Sequence, residues 1–248
     1  MTESNRAAMP LLYCALDVAS RDAALALARP LINEVDGFKL GLEFFVAEGP
    51  AGVEALKALG RPIFLDLKLH DIPNTVAGAV RSATALAPKY LTLHAGGGVA
   101  MMQAAIEAAS DEAAKRGVAR PKLLAVTVLT SLDAGDLAAQ AIASEPEAQV
   151  VRLATLAKSA GIDGAVCSPR EIVALRQALG PALELVVPGI RPDWAATGDQ
   201  KRVMTPTEAA QAGADVLVIG RPITGAPNPA GAARRIRAEL TAVGARSA

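Results

Sequence analysis

Eight short β-prone runs alternate with segments of helical spacing along almost the whole 248-residue chain. Such alternation favours a parallel sheet, since each helix returns the chain to the end of the sheet where the next strand begins. Eight units in about 250 residues predict an α/β protein with a single closed (β/α)8 TIM barrel, and a doubly wound open sheet is the alternative. The runs are LLYCALD (11–17), GFKLG (37–41), PIFLDLK (62–68), YLTLHA (90–95), KLLAVTVLT (122–130), GAVCS (164–168), ELVVPGI (184–190) and VLVIGRPI (216–223).

The segments between these runs have the composition of helices and are rich in alanine, leucine, glutamate and arginine. No linker rich in proline or serine divides the chain. We therefore predict one domain over residues 1–248, with loose termini at 1–10 and about 240–248. Glycines follow several helical segments, as C-terminal caps do. The clearest segments are 22–31, 50–59, 99–116, 149–160 and 169–179.

The overall charge is balanced, with 25 lysines and arginines against 25 aspartates and glutamates. A balanced chain has no electrostatic reason to bind nucleic acid or an anionic membrane surface, so we expect neither partner. A small anionic ligand remains compatible with this balance, because a few local cations suffice to bind one.

The two cysteines, Cys14 and Cys167, each lie in a short apolar run, which indicates buried thiols in a reducing compartment. Their surroundings lack metal-ligand spacing. The N-terminus has no apolar segment of signal-peptide length, and no apolar run approaches the ~20 residues of a membrane span. We therefore expect a cytoplasmic protein.

Polar side chains collect at one end of the predicted strands. In (β/α)8 barrels the chemistry takes place at the carboxyl ends of the strands, so this is where a site is expected. Surface loops without a function would place polar residues at both ends. The residues at or just after these strand ends are Asp17, Lys39, Asp66, Lys68, His94, Thr130, Arg191 and Arg221.

The stretch PIFLDLKLHDIPNTV (62–76) turns from a buried apolar strand into a charged segment. Side chains alternate across a strand, so Asp66 and Lys68 point to the same side, toward the barrel mouth. Together with Asp17 and Lys39 from the two preceding strands, they predict carboxylates and ammonium groups in one small volume. An ion-pair network that only closes the barrel is the alternative, although a hydrophobic set would pack there without the desolvation cost.

The loops after strands 7 and 8 have features of a phosphate site, which many barrels place there. They contain PGIRP (188–192) and IGRP (219–222). Gly220 allows the backbone to approach an anion closely, and Arg221 and Arg191 offer planar sets of donors. A solvated or helix-capping arginine is the alternative at either position.

Six segments, in the same order, give the chain a specific resemblance. DLKLHDIPNT resembles the signature of the orotidine 5′-monophosphate decarboxylase family. The other segments that are similar to this family are ALDVAS (15–20), FKLGLEFF (38–45), AVTVLTSL (125–132), VVPGIRPDWAATGDQKRVMTP (186–206) and VLVIGRPIT (216–224). The resemblance implies decarboxylation of orotidine 5′-monophosphate to UMP, the last step of de novo pyrimidine nucleotide synthesis, with neither cofactor nor metal.

The resemblance also implies roles for the charged strand ends. Lys68 corresponds to the donor of a proton to pyrimidine C6, flanked by Asp66 and Asp71, and Lys39 and Asp17 complete the charge array. In this family the aspartate and threonine that match Asp71 and Thr75 reach the partner subunit's site. A homodimer with shared sites is therefore implied.

The resemblance further implies contacts to the substrate. Arg191, Gly220 and Arg221 match contacts to the nucleotide and its phosphate, and Gln200 matches a glutamine that bridges the phosphate and the base. Thr130 matches a contact to the pyrimidine edge. Hydroxyl groups of Thr130 and Ser131 that cap the following helix are the alternative.

Two other functions remain open. A magnesium-dependent phosphosugar decarboxylase or aldolase on the same barrel shares the DxKxxD pattern, although PNT (73–75) and GDQKR (198–202) favour the nucleotide enzyme. A non-catalytic nucleotide-binding protein is the other. His70 is expected to make a local hydrogen bond, and His94 to lie near the pocket wall.

Overall fold

The computed structural model describes residues 9–143, 145–195 and 204–246. Its eight strands form a closed barrel in sequence order, and every neighbouring pair is parallel, including β1 with β8. The predicted barrel is therefore confirmed, and the open sheet is wrong. The strands are β1 (Leu11–Ala15), β2 (Gly37–Gly41), β3 (Ile63–Leu69), β4 (Tyr90–His94), β5 (Lys122–Val126), β6 (Gly164–Val166), β7 (Glu184–Pro188) and β8 (Val216–Ile219).

Helices connect the strands around the outside of the barrel and bury an apolar layer against it. Single-turn 3-10 segments follow α1, precede α4 and precede α7. The α-helices are α1 (Arg21–Ala28), α2 (Leu42–Lys57), α3 (Pro73–Thr84), α4 (Gly98–Arg116), α5 (Ala134–Ala139), α6 (Pro146–Ala160), α7 (Ile172–Leu179), α8 (Pro206–Ala212), α9 (Arg221–Thr224) and α10 (Pro229–Arg246).

Several element boundaries differ from the sequence prediction. Strand β5 ends at Val126, and the hydroxyl of the next residue, Thr127, donates to the Val166 carbonyl at 2.9 Å. Strand β8 ends at Ile219, because Pro222 lies in the first turn of α9, where proline needs no backbone donor. Helix α10 continues to Arg246, so helical structure reaches into the segment for which we predicted a loose terminus.

The interior of the barrel is filled near the amino ends of its strands by an aromatic cluster. Tyr13, Phe64 and Tyr90 contact one another edge to face, with ring centroids 5.5 to 6.2 Å apart. A Cβ atom at Gly37 would lie 2.3 Å from the Tyr13 ring, so only glycine fits beside it. Side chains therefore fill the barrel interior near the amino ends of the strands, and space for a cavity remains at the carboxyl ends. None of the helices in the described ranges is long and apolar enough to cross a membrane.

Candidate active site

The end of β3 is irregular where its charged residues lie. Leu65 pairs with Leu91 and Leu69 pairs with Leu93, so the three residues Asp66–Lys68 face the single residue Thr92 on β4. Lys68 has a φ of 51°, a left-handed backbone conformation that residues other than glycine seldom adopt. The prediction from strand alternation is correct in that Asp66 and Lys68 both point into the barrel mouth. However, a β-bulge and not a regular strand places them there.

The charged residues of β2, β3 and the loop after β1 form a continuous row. Lys39 Nζ lies 3.1 Å from Asp17 Oδ1 and 3.5 Å from Asp66 Oδ2, and Lys68 Nζ lies 2.7 Å from the same Asp66 oxygen. Carboxylates and ammonium groups therefore alternate, as predicted. Asp17 at one end is 61% exposed, whereas the side chains of Lys39 and Asp66 in the middle are 13% and 11% exposed.

Asp66 is the most extensively bonded member of this row. Its Oδ2 contacts both ammonium groups, and its Oδ1 accepts a hydrogen bond from the Thr92 hydroxyl at 2.9 Å. Burial raises the pKa of Asp66, but the positive charges of Lys39 and Lys68 and the hydrogen bonds from Lys68 and Thr92 outweigh burial and hold this pKa below its ordinary value. The carboxylate is therefore ionised at neutral pH.

A cavity of about 260 Å³ opens at the carboxyl ends of the strands and includes the charge row in its wall. Valines from β5, β6 and β8 contribute apolar surface to the same cavity. The cavity thus combines an apolar surface for a flat ring with two ammonium groups at one edge. Its apolar and small lining residues include Ala15, Val126, Val128, Val166, Pro188 and Val218.

The cavity wall contains positive charge besides the two ammonium groups. Arg191 and Arg221 line it together with Gly220, as the loops after β7 and β8 predict. Arg191 is only 8% exposed and donates to the Ile190 carbonyl at 3.0 Å, so it is not a solvated arginine. Among the described residues that line the cavity, four cationic side chains face two carboxylates. Such an excess of positive charge suits a ligand with several negative charges.

Thr130 lines the cavity from the turn that follows β5. Helix α5 is capped by Asp133, which accepts hydrogen bonds from the backbone N–H groups of Gly135 and Asp136. The alternative in which Thr130 and Ser131 cap this helix is therefore wrong.

The two histidines stack on each other beside the charge row, with ring centroids 5.2 Å apart. Among the described residues, the structure shows this stacking for His70 and not the predicted hydrogen bond. Burial lowers the pKa of His94, and the neighbouring charges of His70 and Lys68 lower it further. Neither histidine is among the described residues that line the cavity.

The structure does not bring every predicted site residue into this cavity. Asp71 and Thr75 are exposed and lie outside the cavity of their own chain, and the Asp71 carboxylate accepts the backbone N–H of Ile72 at 2.6 Å. Gln200 lies outside the described residues. In the described part of the chain, no three or more His, Cys, Asp or Glu side chains cluster as metal ligands would.

Sequence reasoning missed Thr92. This residue is fully buried on β4 and bonds to both Asp66 and Lys68. Alternation could have indicated its direction, because Tyr90 two residues earlier also points into the barrel. Its bonding partners depend on the bulge in β3, which the sequence pattern does not reveal.

Comparison with known proteins agrees with this geometry. The model of a family described as "Orotidine 5'-phosphate decarboxylase / HUMPS family" matches residues 10–236. Orotidine 5'-phosphate decarboxylase of Paramagnetospirillum magneticum is 56% identical over 92% of this chain and 97% of its own. The protein of the same name from Anaeromyxobacter sp. strain K is 58% identical over 91% and 96%, respectively.

A solved structure shows the same arrangement of the backbone. Orotidine 5'-phosphate decarboxylase from Lactobacillus acidophilus superimposes with a TM-score of 0.80 and 35% identity, over 94% of this chain and 99% of the other. The match to the family model and the identities above 50% both extend over nearly all of the described barrel. The chain therefore belongs to the orotidine 5'-phosphate decarboxylase / HUMPS family.

Proposed function

We propose that this protein decarboxylates orotidine 5′-monophosphate to UMP, the last step of de novo pyrimidine nucleotide synthesis. The observation that carries the proposal is the row Asp17–Lys39–Asp66–Lys68 in the wall of a cavity that Arg191 and Arg221 also line. The ammonium groups of the row can stabilise a carbon that becomes negatively charged, and the arginines can bind a phosphate. The names of the relatives support the same reaction.

Lys68 is the proton donor in this proposal. The bond between C6 and the carboxylate breaks, CO2 leaves, and the electron pair remains on C6. The Lys68 ammonium stabilises the developing negative charge and transfers a proton to C6, after which the neutral amine regains a proton from water. A charge that is already in place lowers the barrier because no groups need to reorganise as the reaction proceeds.

Asp66 and Lys39 hold the charge of Lys68 in place. Asp66 is ionised and contacts both ammonium groups, so it holds the Lys68 side chain in place at the cavity wall. Its negative charge also lies close to the position of the departing carboxylate, and their repulsion is relieved when CO2 leaves. Asp17 completes the row from the exposed side, and Thr130 contacts the edge of the pyrimidine.

In this proposal Arg191, Arg221 and the backbone of Gly220 bind the phosphate, with Gln200 bridging the phosphate and the base. Binding energy from this remote group helps to hold the pyrimidine against Lys68 in the transition state. Orotidine without the phosphate is therefore expected to react far more slowly than its 5′-phosphate. Equal catalytic efficiency for the two compounds would contradict this role.

We also propose that the protein acts as a homodimer in which Asp71 and Thr75 complete the partner's site. Both residues are exposed, and Ile72 between them is a large apolar side chain with 67% exposure. A partner that covers this segment would bury Ile72 and bring the Asp71 carboxylate toward a second charge row.

Free buried thiols at Cys14 and Cys167 favour a reducing compartment. We therefore propose that the protein is cytoplasmic. A fractionation of cells that placed the protein with an envelope or secreted fraction would contradict this location.

The decisive experiment follows the loss of absorbance of orotidine 5′-monophosphate by purified protein, with and without EDTA. We expect turnover that EDTA does not change and that Lys68→Ala abolishes. Loss of turnover in EDTA and its recovery with magnesium would favour the phosphosugar class that shares the DxKxxD pattern. Tight binding of UMP without turnover would instead indicate a non-catalytic nucleotide-binding protein.

A further inference from the structure

Thr92 connects two members of the charge row, Asp66 and Lys68, from the barrel interior. It lies in the middle of β4, with no exposed surface, and its side chain points into the barrel. Its hydroxyl accepts the backbone N–H of Lys68 at 2.9 Å and donates to Asp66 Oδ1, also at 2.9 Å. One oxygen atom therefore fixes both the backbone of Lys68 and the carboxylate that contacts the Lys68 ammonium.

The bulge in β3 explains why the backbone of Lys68 needs this partner. Three residues of β3 face Thr92 alone, and the N–H of Lys68 donates to the Thr92 side chain. An unpaired backbone N–H at this depth would be costly, and a lysine with a φ of 51° is strained as well. Local hydrogen bonds must therefore hold the conformation that directs Lys68 into the cavity.

The chemistry of the hydroxyl suits both contacts at once. Asp66 is ionised and can only accept, so the hydroxyl proton is directed to its Oδ1, and a lone pair remains for the N–H of Lys68. Valine has almost the same shape as threonine but can neither accept nor donate. Replacing Thr92 by valine thus removes both bonds with little change in volume.

We infer that Thr92 is a positioning residue that holds the Lys68 ammonium and the Asp66 carboxylate in their reactive arrangement. Thr92 does not line the cavity, so it does not contact the substrate itself. The inference rests on the proposed decarboxylation. It requires that loss of the hydroxyl slows the chemical step more than it weakens binding.

The test compares Thr92→Val with Thr92→Ser in the purified full-length protein, with orotidine 5′-monophosphate as the substrate. We expect Thr92→Val to lower kcat by roughly 10- to 100-fold, the effect of losing hydrogen bonds to charged groups, with a change in KM below about threefold. Thr92→Ser keeps the hydroxyl and is expected to retain kcat within about fivefold of wild type. Titration with UMP checks that each variant still binds nucleotide.

Thr84→Val is the matched control. Thr84 is fully buried at the end of α3, and its hydroxyl has no hydrogen-bond partner among the described residues, so its loss should leave kcat unchanged. If Thr92→Val does not fold, Thr92→Cys replaces it. Sulfur is a weak donor and acceptor, so the expected kcat then lies between those of the serine and valine variants.

The possible results separate this inference from the proposed function. If the wild type and Thr84→Val both fail to decarboxylate the substrate, the proposed function is wrong. If both are active, a wild-type kcat in Thr92→Val overturns the role of Thr92. Equal losses in the serine and valine variants, or a loss confined to KM, would also overturn it, because neither pattern depends on the hydroxyl acting through Lys68.

Discussion

The Lys68 ammonium lies 2.7 Å from Asp66 Oδ2, and the backbone that presents it has a φ of 51° at Lys68. A glycine would adopt that φ without strain, but glycine has no amine. The site therefore contains a residue that is unfavourable for its backbone conformation and necessary for the proposed chemistry. Strain of this kind is typical of functional positions.

Two substitutions separate the chemical role of Lys68 from its backbone strain. Lys68→Ala and Lys68→Gly both remove the ammonium, so each should lower kcat by at least ~1,000-fold. The glycine variant should be more stable than the alanine variant by about 1 kcal/mol, because alanine keeps a Cβ at positive φ. Urea unfolding measures this difference. Turnover near the wild-type rate in a folded Lys68→Ala protein would refute the proposed role.

The sequence predicted which residues of the charge row meet, but not how β3 presents them. Strand alternation and the order of the strands were sufficient to bring Asp17, Lys39, Asp66 and Lys68 together. The left-handed Lys68 and its bond to Thr92 arise from a register shift between two strands, and a register shift depends on contacts that no local pattern contains. The end of β5 was misplaced for a similar reason, since the apolar run continues to Leu129 after the ladder has ended.

The low pKa of Asp66 makes stability depend on pH. Folding favours the carboxylate because this pKa is lower in the folded protein than its ordinary value of about 3.9 in an unfolded chain. The contribution is complete well above that value and is lost as the pH falls through the lowered pKa. Asp66→Asn lacks the charge at every pH, so it should cost about 3 kcal/mol at pH 7 and progressively less below about pH 4.

Urea unfolding of the wild type and Asp66→Asn at several pH values between 7 and 3 measures this dependence. The difference in free energy of unfolding between the two proteins should be largest at neutral pH. A difference that stays constant over the whole range would show that the ionised carboxylate of Asp66 does not contribute to stability.

Gly37 should tolerate no side chain, because the Tyr13 ring and the Pro62 carbonyl lie 2.3 and 2.6 Å from the position of a Cβ atom. We expect Gly37→Ala to lower the free energy of unfolding by about 1–3 kcal/mol through overpacking. Gly78→Ala is the control, since a Cβ there meets no atom closer than 4.0 Å and alanine favours the helix. Thermal unfolding should show a lower Tm for Gly37→Ala only.

Both thiols should be unreactive in the folded protein. Burial raises the pKa of Cys14 to about 12, with a further contribution from Asp17, and burial also raises the pKa of Cys167. The thiolate is the reactive form, so a disulfide reagent at pH 8 should label neither cysteine until the protein unfolds. Cys167 lines the cavity. Rapid labelling of this residue in the native protein would show that the cavity opens more widely in solution than it does in this structure.

The exposure of Asp71 leads to a test of shared sites that mixes two inactive variants. Lys68→Ala and Asp71→Asn should each be nearly inactive alone. If Asp71 serves the partner's site, a hybrid dimer has one site with both substitutions and one intact site. Random reassociation makes half of the dimers hybrid, so the equimolar mixture should recover about a quarter of the wild-type activity. If Asp71 serves its own chain, every site keeps one substitution and the mixture stays inactive.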